Sequence, residues 1–260
     1  MKPISLHRRD LIEDILRRNV YLNIYSLGDL DDFYWPYTVW YSLEDCSGEP
    51  PVALLYMGLS PPTLLALSDD GESMLHLAES LVPLLPGRFY AHLSPGVERA
   101  FRKDFNVRSP GDFLKMALKD PSAVSGRDTS GTLVLGPDDG EILVDFYSRC
   151  YPGNYFDPRM LQTGKYFGIF RGDELVSAAG VHVYSRKYGV AALGNIATAP
   201  SHRGRGLGTR VTARACQSLL EDVSHVGLNV KADNHAAVSC YRKLGFEPAA
   251  DYCEFTFVRK

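Results

Sequence analysis

No stretch of this 260-residue chain approaches the length of a membrane-spanning helix. Its apolar runs, such as 52–57, fall far short of the roughly 20 residues a bilayer requires. The first ten residues meet charge at Lys2, Arg8, Arg9 and Asp10 before an apolar core could form, which does not read as a secretory signal. Cysteine is also scarce. The five cysteines (46, 150, 216, 240 and 253) are odd in number, widely spaced and without a CxxC pair, which excludes a disulfide framework and a zinc site. Nor is there a surplus of positive charge. Lys+Arg 28 against Asp+Glu 31 leaves a formal charge of −3, so neither nucleic acid nor a membrane surface is expected as a partner. These absences together point to a cytoplasmic protein with reduced thiols and no bound metal.

What remains is an ordinary globular composition, 45% hydrophobic, long enough for one large domain or two small ones. In the first 120 residues, apolar Leu11, Ile12, Ile15 and Leu16 predict a helix over 10–18. Segments 52–58 and 63–67 predict paired strands, 69–85 a helix ended by proline, and 88–93 a further strand. Residues 120–130 are small and polar and read as a linker. Beyond it come a strand at 131–135, a helix at 138–150 capped by the aspartate pair, and a meander over 166–170, 175–184 and 188–198. Leu207, Val211, Ala215 and Leu219 mark an amphipathic helix over 206–221. A strand at 226–230, a helix begun by Asn234 and stopped by Gly245, and a last strand at 254–258 complete an α+β unit.

The sharpest local chemistry lies between the meander and the amphipathic helix. Gly204, Gly206 and Gly208 alternate there with Arg203, Arg205, Leu207 and Thr209, and Arg210 follows. Alternate glycines allow tight turning and turn backbone N–H groups into one concavity, and the helix start adds unpaired N–H groups and positive dipole charge. A phosphate or pyrophosphate suits such a place. There is no GK[ST], so a P-loop is excluded, and the glycine spacing also misses the dinucleotide fingerprint GxGxxG.

Arg203-Gly204-Arg205-Gly206-Leu207-Gly208 matches the R/Q-x-x-G-x-G/A signature of the GNAT superfamily of acyl-CoA-dependent N-acyltransferases, and residues 130–260 resemble that family. The strand Gly194-Asn195-Ile196-Ala197-Thr198-Ala199-Pro200 looks like the family's central strand. Asn234 through Phe246 is similar to its N-x-x-A-x-x-x-Y-x-x-x-G-F segment. The resemblance implies a mixed sheet flanked by helices and acetyl- or acyl-CoA as co-substrate, with its pyrophosphate on residues 203–209. It further implies that Ile196, Ala197 and Thr198 grip the pantetheine and thioester, that Asn234 contacts the cofactor, and that Tyr241 protonates the leaving thiolate. The acceptor would be a primary amine on a small molecule or peptide, handled by a monomer or homodimer. Residues 1–120 look like a degenerate GNAT-like domain without a cofactor site, 121–130 like a linker, and 131–260 like the acetyltransferase domain. A general base is not legible, since 193–196 carries no carboxylate; Asn195, His182, Tyr151 and Tyr155 are the substrate-side candidates. That gap leaves open a non-catalytic acyl-CoA-binding or sensing protein.

Overall fold

The computed structural model describes residues 2–44 and 49–260. Cys46 lies outside them, and the other four cysteines are free thiols. The chain divides into two compact units, the first made of residues 1–115, 230–233 and 248–260, the second of 116–229 and 234–247.

In the first unit the chain runs β1 (Pro3–Leu6), α1 (Arg9–Leu16), α2 (Ile24–Gly28), β2 (Thr38–Leu43), β3 (Ala53–Tyr56), β4 (Thr63–Ala66), α3 (Gly71–Leu81) and β5 (Arg88–Leu93). Strand β6 (Phe105–Leu118) then leads into the second unit. Strands β1 to β4 pair antiparallel in sequence, and β4 pairs parallel with β5. The expected strands near 52–58 and 63–67 are β3 and β4, joined in register Leu54↔Leu65. Met74, Leu77, Ala78 and Leu81 fall on one side of α3 and bury against Phe89, Ala91 and Leu93 of β5. Trp40 is buried and stacks on Trp35, so this aromatic segment serves the core.

The second unit starts with the short helix α4 (Ser122–Ser125), followed by β7 (Leu133–Leu135), α5 (Gly140–Cys150), β8 (Tyr166–Arg171), β9 (Glu174–Ser185) and β10 (Val190–Thr198). It continues with α6 (Leu207–Leu220), β11 (His225–Lys231) and α7 (His235–Lys243). Strands β7 to β10 again pair antiparallel in order, and β10 pairs parallel with β11. This repeats the pairing scheme of β1 to β5 without any repeat in the residues themselves. The helix α6 buries Val211, Ala215 and Leu219, as its spacing requires.

Three sequence expectations change here. Residues 121–130 do not form a bare linker: Val124 is buried, Gln217 of α6 donates to the carbonyls of Val124 and Arg127, and Arg127 donates to the Lys243 carbonyl. The aspartate pair does not cap α5 through N–H groups of the helix; the Asp139 carboxylate instead accepts from the Gly136 N–H at 2.7 Å. The last strand, β12 (Phe246–Arg259), leaves the unit that sequence order assigns it to. Its residues 253–258 pair antiparallel with β5, and Phe257 stacks on Phe89 with ring centroids 4.8 Å apart. Burial of Phe255 and Phe257 in the first unit's core explains the placement. The first unit therefore includes 248–260 rather than ending near residue 120.

Candidate active site

The centre of the site is an irregularity in β10. Its register against β9 passes from Gly194↔Gly180 to Ala197↔Ala178, so Asn195 and Ile196 together face Ala179. Such a bulge bends the strand and takes backbone groups out of the ladder. Asn195 adopts φ 54°, a left-handed conformation that asparagine tolerates better than most residues. The Tyr147 hydroxyl of α5 holds the turn by donating to the Asn195 carbonyl at 2.7 Å. On the other side, the parallel pairs with β11 run from Val190↔His225 to Leu193↔Leu228, while β10 continues to Thr198. Ile196, Ala197 and Thr198 thus lie past the last of these pairs and are half-buried. Ser177 secures them from β9, donating to the Ala197 carbonyl at 3.1 Å and meeting the Thr198 hydroxyl at 2.9 Å.

The glycine loop follows directly. Gly204 and Gly206 both have φ 75°, and a Cβ built on either would meet nothing within 4 Å. Gly206 is the N-cap of α6 and offers no side chain to the first turn. Gly206 is exposed and no side chain caps the first turn, an arrangement that fits an anion such as a diphosphate. Gly208 brings the helix close to β10, since a Cβ there would lie 3.2 Å from the Thr198 hydroxyl. The arginines also brace the loop: Arg203 donates to the Thr198 carbonyl, Arg205 to that of Ser201, and Arg210 to that of Ser130 while facing Asp128. Leu207 is buried under the loop and Thr209 touches the Cys240 sulfur at 3.2 Å, tying α6 to α7.

Asn234 caps α7 by accepting from the Ala237 N–H at 3.2 Å. One helical stretch later Tyr241 is buried beside Phe246. Burial pushes its phenol far above the ordinary range, with Cys240, Tyr151 and Cys216 adding to the shift. Its proton is therefore retained at neutral pH. Tyr151 and Tyr155 are exposed on the segment after α5.

Sequence reading named Asn195 and His182 but missed Tyr166 and Asn154, which join them in a polar cluster around the bulge. Asn195 donates to the Tyr166 hydroxyl at 2.9 Å, and its amide oxygen faces Asn154 Nδ2 at 3.2 Å and His182 Nε2 at 3.3 Å. The signal was present in two glycines. A Cβ on Gly180 would enter the Tyr166 ring, and one on Gly194 would lie 1.9 Å from His182 Cδ2. Two open surface depressions, on the outer face of α7 and between α5 and the β8–β9 turn, contain none of these residues. Among the described residues no group of three His, Cys, Asp or Glu is placed to hold a metal ion. None of the helices is long and apolar enough to cross a membrane, among the described residues.

A mixed sheet with a bulged strand, followed by a glycine loop at a helix start, fits the acyl-CoA N-acyltransferase class of fold. Residues 130–246 match the acetyltransferase (GNAT) family, and the chain carries a GNAT acetyltransferase domain. Solved structures of that fold extend over both units. A Drosophila protein aligns with TM-score 0.72 at 15% identity, covering 98% of each chain. A GCN5-related N-acetyltransferase from Sphaerobacter thermophilus gives 0.60 at 13% identity, covering 99% of this chain and 96% of its own. A tandem GNAT protein from the clavulanic acid biosynthesis pathway gives 0.55 at 16%, covering 98% and 97%, and fits the two-unit arrangement. None of the curated proteins compared matches the chain significantly.

Proposed function

We propose that this protein transfers an acetyl or short acyl group from acyl-CoA directly to a primary amine. The observation that carries the reading is the bulge of β10 leading straight into the glycine loop. One element thereby brings backbone groups for a thioester and a phosphate cradle into sequence. Acyl transfer to an amine needs donors for the tetrahedral oxyanion, a neutral amine, and a proton for the departing thiolate. The backbone of Ile196, Ala197 and Thr198 serves the pantetheine arm and thioester. The N–H groups of residues 204–209, with Arg203 and Arg205 beside them, take the diphosphate. Asn234 caps α7 and borders the cofactor, and Tyr241, kept protonated by burial, supplies the thiolate's proton.

The second reading is an acyl-CoA sensor, favoured by Asn195 standing where a carboxylate base could have been. Calorimetry with acetyl-CoA, followed by thiol release over a panel of amino acids, polyamines, aminoglycosides and peptides, separates the two. The enzyme reading expects binding at tens of micromolar or tighter and release with at least one amine. Binding without release supports the sensor, and no binding removes both.

A further inference from the structure

We propose that the acceptor is a small amine bearing a second positive charge, and that Asp157 holds the ammonium that does not react. This deepens the acyl-transfer reading above and rests on it. The placement follows from residues 154–160, a segment fastened at both ends to one side chain. At one end Asn154 Nδ2 meets the Asn195 amide oxygen at 3.2 Å. At the other, Met160 Sδ lies 3.7 Å from Asn195 Nδ2 and 3.3 Å from the Tyr166 hydroxyl. The residues between them therefore arch beside the bulge of β10, which continues through Ile196 to Thr198 toward the glycine loop. Phe156 wedges the arch in place, its ring centroid 5.1 Å from that of Tyr147 and 5.7 Å from that of Tyr166.

The arch carries one acid and one exposed phenol, Asp157 and Tyr155. Asp157 is half-buried and starts the short helical turn Pro158–Thr163, its Oδ1 accepting from the Arg159 N–H at 2.8 Å. Among the described residues no cation forms an ion pair with this carboxylate. A carboxylate partly withdrawn from water attracts a cation more strongly than one in open solvent, and a neighbouring phenol ring adds a face on which an ammonium can rest.

The charge is felt on the side of the bulge. Tyr155 is pushed up to about 12, by burial first and then by Asp157, with Arg159 opposing. Tyr166 is raised by burial, its bond from Asn195 opposing, and Tyr155 and Asp157 add to the rise. The Tyr166 hydroxyl is the one that lies 2.9 Å from Asn195 Nδ2. Yet among the described residues Asp157 bonds to none of Asn154, Tyr166 and Asn195, so it stands one step back from the bulge. That is the position for a second ammonium, joined by a short chain to the amine that attacks the thioester.

The test uses the whole chain, acetyl-CoA and alkylamines of matched length that end in an ammonium, a hydroxyl or a carboxylate, read by thiol release. We expect kcat/KM to be at least about 10-fold higher for the diamine than for the amino alcohol, mostly through KM, and lowest for the amino carboxylate. Asp157→Asn keeps an oxygen for the Arg159 N–H and removes the charge. It should bring the ratio of diamine to amino alcohol down to about 1, with acetyl-CoA affinity by calorimetry within a few-fold of the parent. Asp157→Ser, which also keeps a capping oxygen, gives the same readout should the first variant fold poorly. Equal use of the three amines by the unmutated protein overturns the inference and leaves acyl transfer intact. So does thiol release with other amines of the panel but not with diamines, or a diamine preference that survives in either variant. No thiol release from any amine overturns acyl transfer itself, and this inference with it.

Discussion

The two units share one scheme of strand pairing yet treat the same corner of it in opposite ways. In the first unit β4 runs into α3 and returns as β5; in the second, β10 runs into α6 and returns as β11. Strand β4 is fully buried, keeps an unbroken register with β3, and pairs with β5 along its whole length. Strand β10 bulges and runs on past Leu193, which pairs with Leu228 of β11. The loops differ as sharply. Asp69-Asp70-Gly71-Glu72 is acidic, and Asp70 accepts from the N–H groups of Glu72 and Ser73 and from the Ser73 hydroxyl, closing its own helix. Asn19 holds Asp69 in turn. A helix start already filled by a carboxylate repels phosphate, whereas the bare Gly206 cap invites it. Pairing topology therefore does not make the site. Under the proposed function, a bulge, a cap without a side chain and local positive charge make it.

The strongest way to break that contrast is to give the second loop the cap of the first. Gly206→Asp places a carboxylate at the start of α6, where it competes for the N–H groups and repels a diphosphate. Losing one or two charge-assisted hydrogen bonds at roughly 1.5–3 kcal/mol each should raise the acetyl-CoA Kd by about 100-fold or more. The Cβ meets open space, so only the positive φ opposes folding, and asparagine or aspartate bears that better than other residues. Calorimetry and a melting curve read both effects. Unchanged affinity in a folded variant would show that the loop does not hold the cofactor.

Tyr241→Phe sharpens the comparison at the chemical step. The variant keeps the ring beside Phe246 and loses only the hydroxyl. A positioned acid is worth roughly 10²–10⁴-fold, so kcat should drop by about 10²-fold while acetyl-CoA affinity barely moves. Steady-state rates paired with calorimetry check it. Equal losses of kcat and cofactor affinity would make the hydroxyl a binding group instead.

How far the chain could be read in advance follows the same divide. The glycine loop, the cap at Asn234 and the period of α6 are local, and each is legible because neighbouring residues carry the whole reason for it. The place of β12 is not local: nothing in residues 246–259 says that Phe257 will stack on Phe89 in the first unit's core. The His182–Asn195–Tyr166 cluster is hidden for a similar reason, since its members come from three strands and meet only once the sheet has formed. Residues 120–130 misled through composition, because small polar residues can pack through backbone carbonyls as well as float.

The last expected effect bears on stability instead of affinity or rate, and concerns what the first unit buries on the sheet face away from α3. Lys115 is almost wholly buried, its ammonium about 5 Å from the ring centres of Tyr25 and Tyr252 (5.0 and 4.9 Å). Around it stand Glu254, which accepts from the hydroxyls of Tyr90 and Tyr252, and His92, 3.5 Å from Glu254. Burial lowers Lys115 to about 7, with Glu254 pulling the other way. An amine depressed in the folded state binds fewer protons there than in the unfolded chain between pH 7 and its ordinary 10.5. Stability should therefore climb as pH rises through that window and be lowest below 7, by at most about 1.4 kcal/mol per pH unit. Glu254, raised by burial, acts in the opposite sense, beginning from its ordinary value in the acid range. Lys115→Met keeps the apolar stem and removes the charge, so its denaturation midpoint should flatten above neutrality while the unmutated protein's continues to rise. Urea melts at pH 7, 8 and 9 on both proteins measure the difference, and parallel slopes would mean that Lys115 stays charged in the folded state and that its cage of aromatic rings and Glu254 holds the ion at no net cost.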